Sequence, residues 1–320
     1  MQKIGILTSG GDSPGMNAAI RAVARSAIYY DMKVYGIQNG YEGLLDGDIN
    51  EMNVSSVSDI LQRGGTVLRT ARSVRFMTPE GRKRACDMLE NFGISALVVI
   101  GGDGSLKGAL GLSRLGITVM GIPGTIDNDL GYTDFTIGFD TAVNTVLGAI
   151  SNIRDTSSSH ERTTIIEVMG RRCGDIALYA GLAGGAEYVM IPEKETDISD
   201  LCRKIIQGRK RGKRHSIIIK AEGVDIPSQE LAETIKERTG LDTKIAVLAY
   251  IQRGGSPTAR DRMLASRMGH KAVELIKEGS GSRAIGVNGT EIIHYDIEQA
   301  LQAERPYGAE FIELADILSI

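Results

Sequence analysis

The chain is short of several residue types, and each shortage narrows its class. Only three of its 320 residues are cysteines, Cys86, Cys173 and Cys202, far apart and without a C-x-x-C pair. That spacing argues against a disulfide framework, leaves no readable zinc site and suits reduced thiols. Proline is scarce at 7 residues and no G-X-Y period occurs, so neither a low-complexity linker nor a collagen fits. No run of 18 apolar residues exists, and Ile4 to Leu7, which follow the first three residues, are too few for a signal-peptide core. A basic excess is missing too: 37 Lys and Arg stand against 40 Asp and Glu, a net charge of −3. The expectation is a soluble, cytoplasmic protein with no nucleic-acid or membrane partner.

What the chain has in quantity is glycine, 40 residues, roughly double the usual share. Apolar residues make up 42%, enough for a sizeable core, and the length suggests two packed domains or one large α/β domain. Short apolar runs recur at 4–7, 34–37, 96–100, 118–122, 164–168, 188–191, 216–219, 244–249 and 283–287. Several are apolar throughout rather than alternating, as parallel strands covered on both faces are. Helical patterns lie between them. One begins at Phe139 and sets Ala142, Val143, Val146, Leu147, Ile150 and Ile153 on one side; another has Thr78 as N-cap, Pro79 in the first turn and Gly93 past its end. Alternating strand and helix predicts an α/β fold with parallel sheet. Junctions are expected near 124–138 and 252–257, which would make each domain discontinuous.

Two glycine clusters follow expected strands and open into expected helices: Gly10-Gly11-Asp12-Ser13-Pro14-Gly15, and Gly101-Gly102-Asp103-Gly104-Ser105 with Gly108. A strand, a tight turn and a helix N-terminus present free N–H groups and the positive end of a dipole, which suits a phosphate. Glycines that merely allow tight turns are the plainer alternative. Lys107 breaks the dinucleotide fingerprint, and there is no P-loop and no protein-kinase H-R-D or D-F-G. Asp103 beside phosphate-binding amides implies an intervening cation, Mg²⁺, or else an Asx-type turn. In Thr125-Ile126-Asp127-Asn128-Asp129, an extended backbone would put Asp127 and Asp129 on one side, one as base and one supporting a metal; a polar turn is the alternative. Arg72, Arg162, Arg171 and Arg253 lie in or beside expected loops, where a guanidinium fork could reach phosphate.

In this order the motifs resemble the bacterial ATP-dependent 6-phosphofructokinase family over nearly the whole chain, from Gly5 to Asn17 through Gly101–Ser105, Pro123–Asp129, Met169–Arg171 and Gln252–Pro257. The resemblance implies a homotetramer of two α/β domains, each a mostly parallel sheet sandwiched between helices. It implies an ATP-binding domain of residues 1–138 plus 252–302 and a sugar-phosphate domain of 139–251 plus 303–320. It implies transfer of the γ-phosphoryl group of MgATP to the 1-hydroxyl of fructose 6-phosphate, a step of glycolysis. Asp127 would take the hydroxyl proton. Thr125 would hold the transferring group, Asp103 the Mg²⁺, Asp129 would support that site, and Arg72 and Arg171 would offset developing charge. Gly11, Arg72, Ser73, Gly102, Asp103, Gly104, Ser105 and Gly108 fall on nucleotide positions. Thr125, Asp127, Arg162, Met169, Gly170, Arg171, Glu222 and Arg253 fall on sugar-phosphate positions, Arg162 from a neighbouring subunit. Gly104 and Gly124 replace the acidic and lysine residues of pyrophosphate-dependent relatives, so ATP is the expected donor. The glycine excess is thus expected to clear backbone for phosphate.

Some positions depart from the family pattern. Lys244 and Tyr250 stand where Arg and His usually bind the 6-phosphate; Lys loses the bidentate fork and Tyr carries no positive charge. Met77 replaces a residue that is often basic. These departures keep two alternatives open: a kinase of another sugar phosphate, such as tagatose 6-phosphate or sedoheptulose 7-phosphate, and a catalytically weak regulatory subunit. The run Arg209–His215 reads as a solvated helix end or, by resemblance, as part of an effector pocket for ADP and phosphoenolpyruvate with Arg21, Arg25, Asp59, Arg154, Gly185, Glu187, Arg211 and Lys213. Arg21 and Arg25, four apart, would share one helix face.

Overall fold

A computed structural model describes residues 1–305 and 308–318. Residues 306–307 and 319–320, within the segment assigned by resemblance to the sugar-phosphate domain, lie outside the described residues. The chain divides into two compact units, Met1–Ile126, Leu130–Thr141 and Arg253–Arg305 in one, and Asp127–Asp129, Ala142–Gln252 and Pro306–Ile320 in the other.

In the first unit the strands are β1 (Lys3–Ser9), β2 (Lys33–Ile37), β3 (Ile49–Met52), β4 (Ala96–Gly101), β5 (Thr118–Thr125) and β6 (Ile137–Gly138). The second unit supplies β7 (Thr163–Val168), β8 (Tyr188–Met190), β9 (Ser216–Ala221) and β10 (Thr243–Val247), after which β11 (Arg283–Asn288) and β12 (Glu291–Asp296) complete the first sheet. That sheet runs β12-β11-β5-β4-β1-β2-β3, with β6 added to β5. Its interior pairs are parallel, while β12 and β3 close it as antiparallel edges. The second sheet, β10-β7-β9-β8, is parallel throughout. All nine strands expected from apolar runs are present. The three missed, β3, β6 and β12, are a four-residue edge, a two-residue bridge and an edge strand whose residues are all at least partly exposed. None of these carries the continuous apolar run that marks a buried parallel strand.

β4 is buried at every residue because helices cover both faces of its sheet. Ile4, Ile6, Val98 and Ile100 pack on one face with helices α1 (Met16–Tyr29) and Ala259–Lys277, while Leu7, Leu97 and Val99 pack on the other. Each such buried side chain contributes roughly 1.5–3 kcal/mol. The helix Pro79–Phe92 starts as its sequence predicts: the Thr78 hydroxyl accepts from Gly81 N–H at 3.0 Å, Pro79 sits in the first turn, and Gly93 ends it at φ 68°.

The topology marks where a ligand is expected. From β1 the chain moves outward to β2 and β3, then returns to the other side of β1 as β4 and β5. The strand order reverses between β1 and β4, and open parallel sheets commonly bind ligands outside the carboxyl ends of strands at such a point. Both glycine loops leave the sheet there.

Candidate active site

In the first unit, Ser9 ends β1 and Gly101 ends β4, paired in register. The loop after β1 turns through Gly10 (φ 86°) and Gly15 (φ 105°) into α1, whose N-terminus has no side-chain cap. Its orphan N–H groups are thus left to other acceptors. Gly102 is the N-cap of the helix Asp103–Ser113, also uncapped by a side chain, with Asp103 in its first turn. Asp103 holds Lys107 at 2.7 Å, the i,i+4 pair its spacing allows. Thr125 ends β5 beside this loop: a Cβ built on Gly102 would lie 3.3 Å from Thr125 Cβ. Its carbonyl is fixed by the Thr136 hydroxyl at 2.7 Å.

The glycines of these loops are small for different reasons. A Cβ on Gly11 would lie 1.9 Å from Arg253 Nη1, on Gly101 2.5 Å from Ser9 O, and on Gly108 2.8 Å from the Tyr41 ring. Tyr41 stacks on Phe76 at 3.9 Å between centroids and donates to Ser105 O at 2.6 Å. A Cβ on Gly104 would meet nothing within 4 Å. Gly124 would touch Ile100 Cγ2 at 3.0 Å, so packing already disfavours a side chain there.

Ser73 is buried; its hydroxyl accepts from Phe76 N–H at 3.1 Å and donates to Glu42, which holds that carboxyl below the usual range together with Arg75. Arg72 beside it is exposed, while Arg75 is held by Glu42 and Asp46 at 2.7 and 2.8 Å. Arg253, expected among the sugar-phosphate residues, lies with its guanidinium over Gly11.

In the second unit, the Asp127–Asp129 segment is not the extended stretch considered above. Asn128 sits at φ 55°, so strand alternation cannot put Asp127 and Asp129 on one side. Asn tolerates this left-handed conformation, and here its amide donates to Asp175 Oδ2 at 2.9 Å. Asp127, 2% exposed, meets Arg171 Nε at 3.3 Å. Arg171 also has a positive φ, 55°, and follows Gly170 at φ 133°. Its N–H donates to Glu222 Oε1 at 2.9 Å, and Glu222 N–H donates to Val168 O at 2.8 Å. Gln252, fully buried, accepts from Met169 N–H at 3.2 Å, and Glu193 accepts from Gly174 N–H at 2.8 Å. The structure therefore brings together Asp127, Met169, Gly170, Arg171 and Glu222. Sequence reasoning gave no role to Gln252, Glu193, Asp175 or Tyr41; apart from the Gln252 motif, nothing local in the sequence singles them out.

Arg162 and Lys244 are elsewhere. Arg162 precedes β7 and Lys244 lies near the start of the paired β10; Arg162 Nε and Lys244 Nζ reach Asp242 Oδ2 at 3.1 and 3.3 Å. Met169–Arg171 follow the other end of β7, about 20 Å away at ~3.3 Å per residue. Tyr250 is 78% exposed. A third cluster joins Glu187, Lys213, Arg154 and Gly185: Lys213 Nζ lies 2.7 Å from Glu187 Oε1, and Arg154 Nη2 donates to Gly185 O at 3.0 Å. Burial holds the adjacent His215 imidazole below its usual pKa. Arg211 is exposed, and Arg21, Arg25 and Asp59 belong to the first unit. Burial, and then Arg25 one turn along α1, lower the pKa of Arg21.

Comparison with known proteins converges on one family. A profile described as "Phosphofructokinase" matches residues 3–276. A protein of Alkaliphilus metalliredigens named ATP-dependent 6-phosphofructokinase is 61% identical over the full length of both chains, and one of Clostridium botulinum with the same name is 58% identical, again full length. Phosphofructokinase structures from Saccharomyces cerevisiae and Pichia pastoris superpose with TM-scores of 0.88 and 0.90 at 36% and 37% identity. They cover 100% and 98% of this chain, which spans 48% and 37% of theirs. A pyrophosphate-dependent enzyme from Marinobacter aquaeolei shares the fold at a TM-score of 0.86 and 22% identity. The order of the glycine loops, the Thr125–Asp129 segment and the Met169–Arg171 turn thus has its explanation in descent: the chain belongs to the phosphofructokinase family.

Proposed function

We propose that this chain is an ATP-dependent 6-phosphofructokinase, converting fructose 6-phosphate and ATP to fructose 1,6-bisphosphate and ADP. The observation that carries the reading is the Asp127–Arg171 pair, two residues past Thr125 and the strand that ends beside the Gly101–Ser105 loop. The loop N–H groups and helix N-termini bind the nucleotide phosphates. Asp127 accepts the proton of the 1-hydroxyl as its oxygen bonds to the γ-phosphorus and the bond to the ADP oxygen breaks. Arg171 and Arg72 offset charge on the transferring group, and Thr125 orients it. Met169, Gly170 and Glu222 hold the sugar.

Among the described residues no group of three His, Cys, Asp or Glu could hold a metal by itself. That fits Mg²⁺, which is commonly held by one or two carboxylates plus substrate phosphates. Asp103, whose carboxylate pairs with the exposed Lys107, is the residue to hold it, with Asp129 in support. When bound, the cation would neutralise charge on the β- and γ-phosphates.

Arg162 and Lys244 lie a strand's length from Arg171, a separation that favours their reaching the sugar phosphate of a second copy of the chain. This supports a homo-oligomer, read as a tetramer. The Glu187, Lys213, Arg154 and Gly185 cluster supports an effector pocket between subunits for ADP and phosphoenolpyruvate, to which Arg21, Arg25, Asp59 and Arg211 would also contribute. The site of action is the cytoplasm. Lys244, tied to Asp242, and the exposed Tyr250 favour one further reading, a preference for a different ketose phosphate. Comparing kcat/KM for fructose 6-, tagatose 6- and sedoheptulose 7-phosphate decides between them.

The test is a coupled assay with purified protein, MgATP and fructose 6-phosphate. Asp127→Ser should lower turnover by about 10²- to 10⁴-fold, the usual worth of a general base. Undiminished turnover in that variant would remove Asp127 from the chemistry.

A further inference from the structure

β9 is buried along its whole length, yet its fifth residue is a lysine, Lys220, 2% exposed. A buried ammonium is costly unless it is paired and hydrogen-bonded. Lys220 is paired across the sheet: Glu167 of β7 is its register partner, and Nζ lies 3.3 Å from Glu167 Oε2. The same oxygen accepts from the hydroxyl of Ser228, the first residue of the helix Ser228–Thr239. Around the cluster are apolar neighbours of the second unit's core, Ile165 and Ile218 on the two strands and Leu231 on the helix. A matched apolar pair would hold two strands at least as well in such surroundings, so stability alone does not account for the charges.

Their position does. Lys220 stands two residues before Glu222, and Ser228 follows the 222–227 loop that joins β9 to its helix. Both ends of the loop are therefore tied to one carboxylate. Within it, Glu222 accepts the Arg171 N–H, and a Cβ on Gly223 would lie 2.0 Å from Arg171 O. Glu167 itself is two residues from Met169, and its carbonyl accepts from Leu248 N–H at 3.0 Å. We infer that Glu167, Lys220 and Ser228 form a brace, buried at Lys220 and Ser228 and partly exposed at Glu167, that sets the 222–227 loop against the Met169–Arg171 turn, so that Arg171 is held in its left-handed conformation beside Asp127. These three are positioning residues; none touches substrate. The inference rests on the function proposed above in one respect only, that Met169 and Glu222 hold the sugar phosphate beside Arg171.

The experiment compares the wild-type enzyme with Lys220→Met/Glu167→Gln, which leaves no unpaired charge and keeps an acceptor for Ser228, and with Ser228→Ala. Backbone amide exchange is read first, because it needs no substrate: the peptide containing Arg171 should exchange faster in the double variant, at a melting temperature near that of the wild type. The KM for fructose 6-phosphate should rise between about tenfold and about a hundredfold, as a displacement of about 1 Å can produce, while the KM for ATP stays constant. Ser228→Ala should move both readouts in the same direction by less, and it decides the matter if the double variant does not fold. Wild-type exchange at Arg171 together with a wild-type sugar-phosphate KM overturns the brace. Absence of fructose 6-phosphate turnover in the wild type would instead count against the proposed reaction, leaving the exchange result to judge the brace.

Discussion

Gly104 offers a clean test of whether the first unit receives the nucleotide, because the space beside it is open. A Cβ there meets no protein atom within 4 Å, and the residue lies in the first turn of the helix Asp103–Ser113. Gly104→Asp should therefore fold normally: an acid in the first turn gains about 0.3–1 kcal/mol from the helix dipole, offset in part by its neighbour Asp103. If the open space belongs to ATP, the new carboxylate faces phosphate. Two unit charges 4 Å apart at an effective dielectric of about 20 repel by roughly 4 kcal/mol, and at twice that distance by about half as much. That range corresponds to a fall of roughly thirtyfold to about a thousandfold in kcat/KM for ATP. The assay is a coupled one at saturating fructose 6-phosphate, with thermal melts alongside. Gly108→Ala is the control, since its Cβ would lie 2.8 Å from the Tyr41 ring and overpacking should lower stability by about 1–3 kcal/mol. A folded Gly104→Asp enzyme with unaltered kcat/KM for ATP would refute the reasoning.

Three further outcomes are expected. Mixing inactive Asp127→Ser with inactive Arg162→Ala subunits should restore part of the activity, because a mixed oligomer can assemble one site with both residues intact; no recovery after subunit exchange would place Arg162 outside any shared site. Glu187→Gln, which removes the charge facing Lys213 at 2.7 Å while keeping an acceptor for Ile217 N–H, should abolish the shift in sugar-phosphate dependence expected from phosphoenolpyruvate in the proposed pocket; a response equal to the wild type's would separate this cluster from regulation. Asp261, whose carboxyl is pushed up to about 6 chiefly by burial, should make stability fall as pH rises. Between about 4 and 6 the folded chain keeps a proton that the unfolded chain has lost, so about 3 kcal/mol present at pH 4 is lost by pH 6 and above. The melting-temperature difference between wild type and Asp261→Asn should track that window, and a constant difference from pH 4 to 7 would contradict it.

Much of this architecture was legible because buried parallel strands declare themselves as unbroken apolar runs. Both glycine loops could be placed at strand ends from sequence alone. What the sequence did not show is set by contacts between distant residues. Asn128 and Arg171 are left-handed, and the partners beside those conformations, Asp175 and Glu222, come from 47 and 51 residues away; no local pattern encodes such an arrangement, so the alternating reading of Asp127 and Asp129 failed there. Strand parity likewise could not reveal that Lys220 meets Glu167, since pairing β7 with β9 requires knowing that β8 goes to the far edge of the sheet.

The glycine excess illustrates the same division. From composition it reads as backbone cleared for phosphate, yet the structure separates the loop glycines by what a side chain would strike. Gly11 makes room for the Arg253 guanidinium, Gly101 for the Ser9 carbonyl, Gly108 for an aromatic ring and Gly223 for the Arg171 carbonyl. These glycines let the protein's own parts approach closely, and that approach fixes the loops from which N–H groups can point at a ligand. Gly104 alone among the nucleotide-loop positions Gly11, Gly102, Gly104 and Gly108 leaves space that no protein atom claims. Under the proposed function most of these glycines would therefore act on phosphate at one remove, by letting the loops pack closely. An unfilled Cβ position points to a ligand only in company with its loop: Gly148 and the turn glycine Gly240 are equally unfilled, whereas Gly104 lies in the first turn of a helix that a glycine loop opens, where N–H groups suit a phosphate.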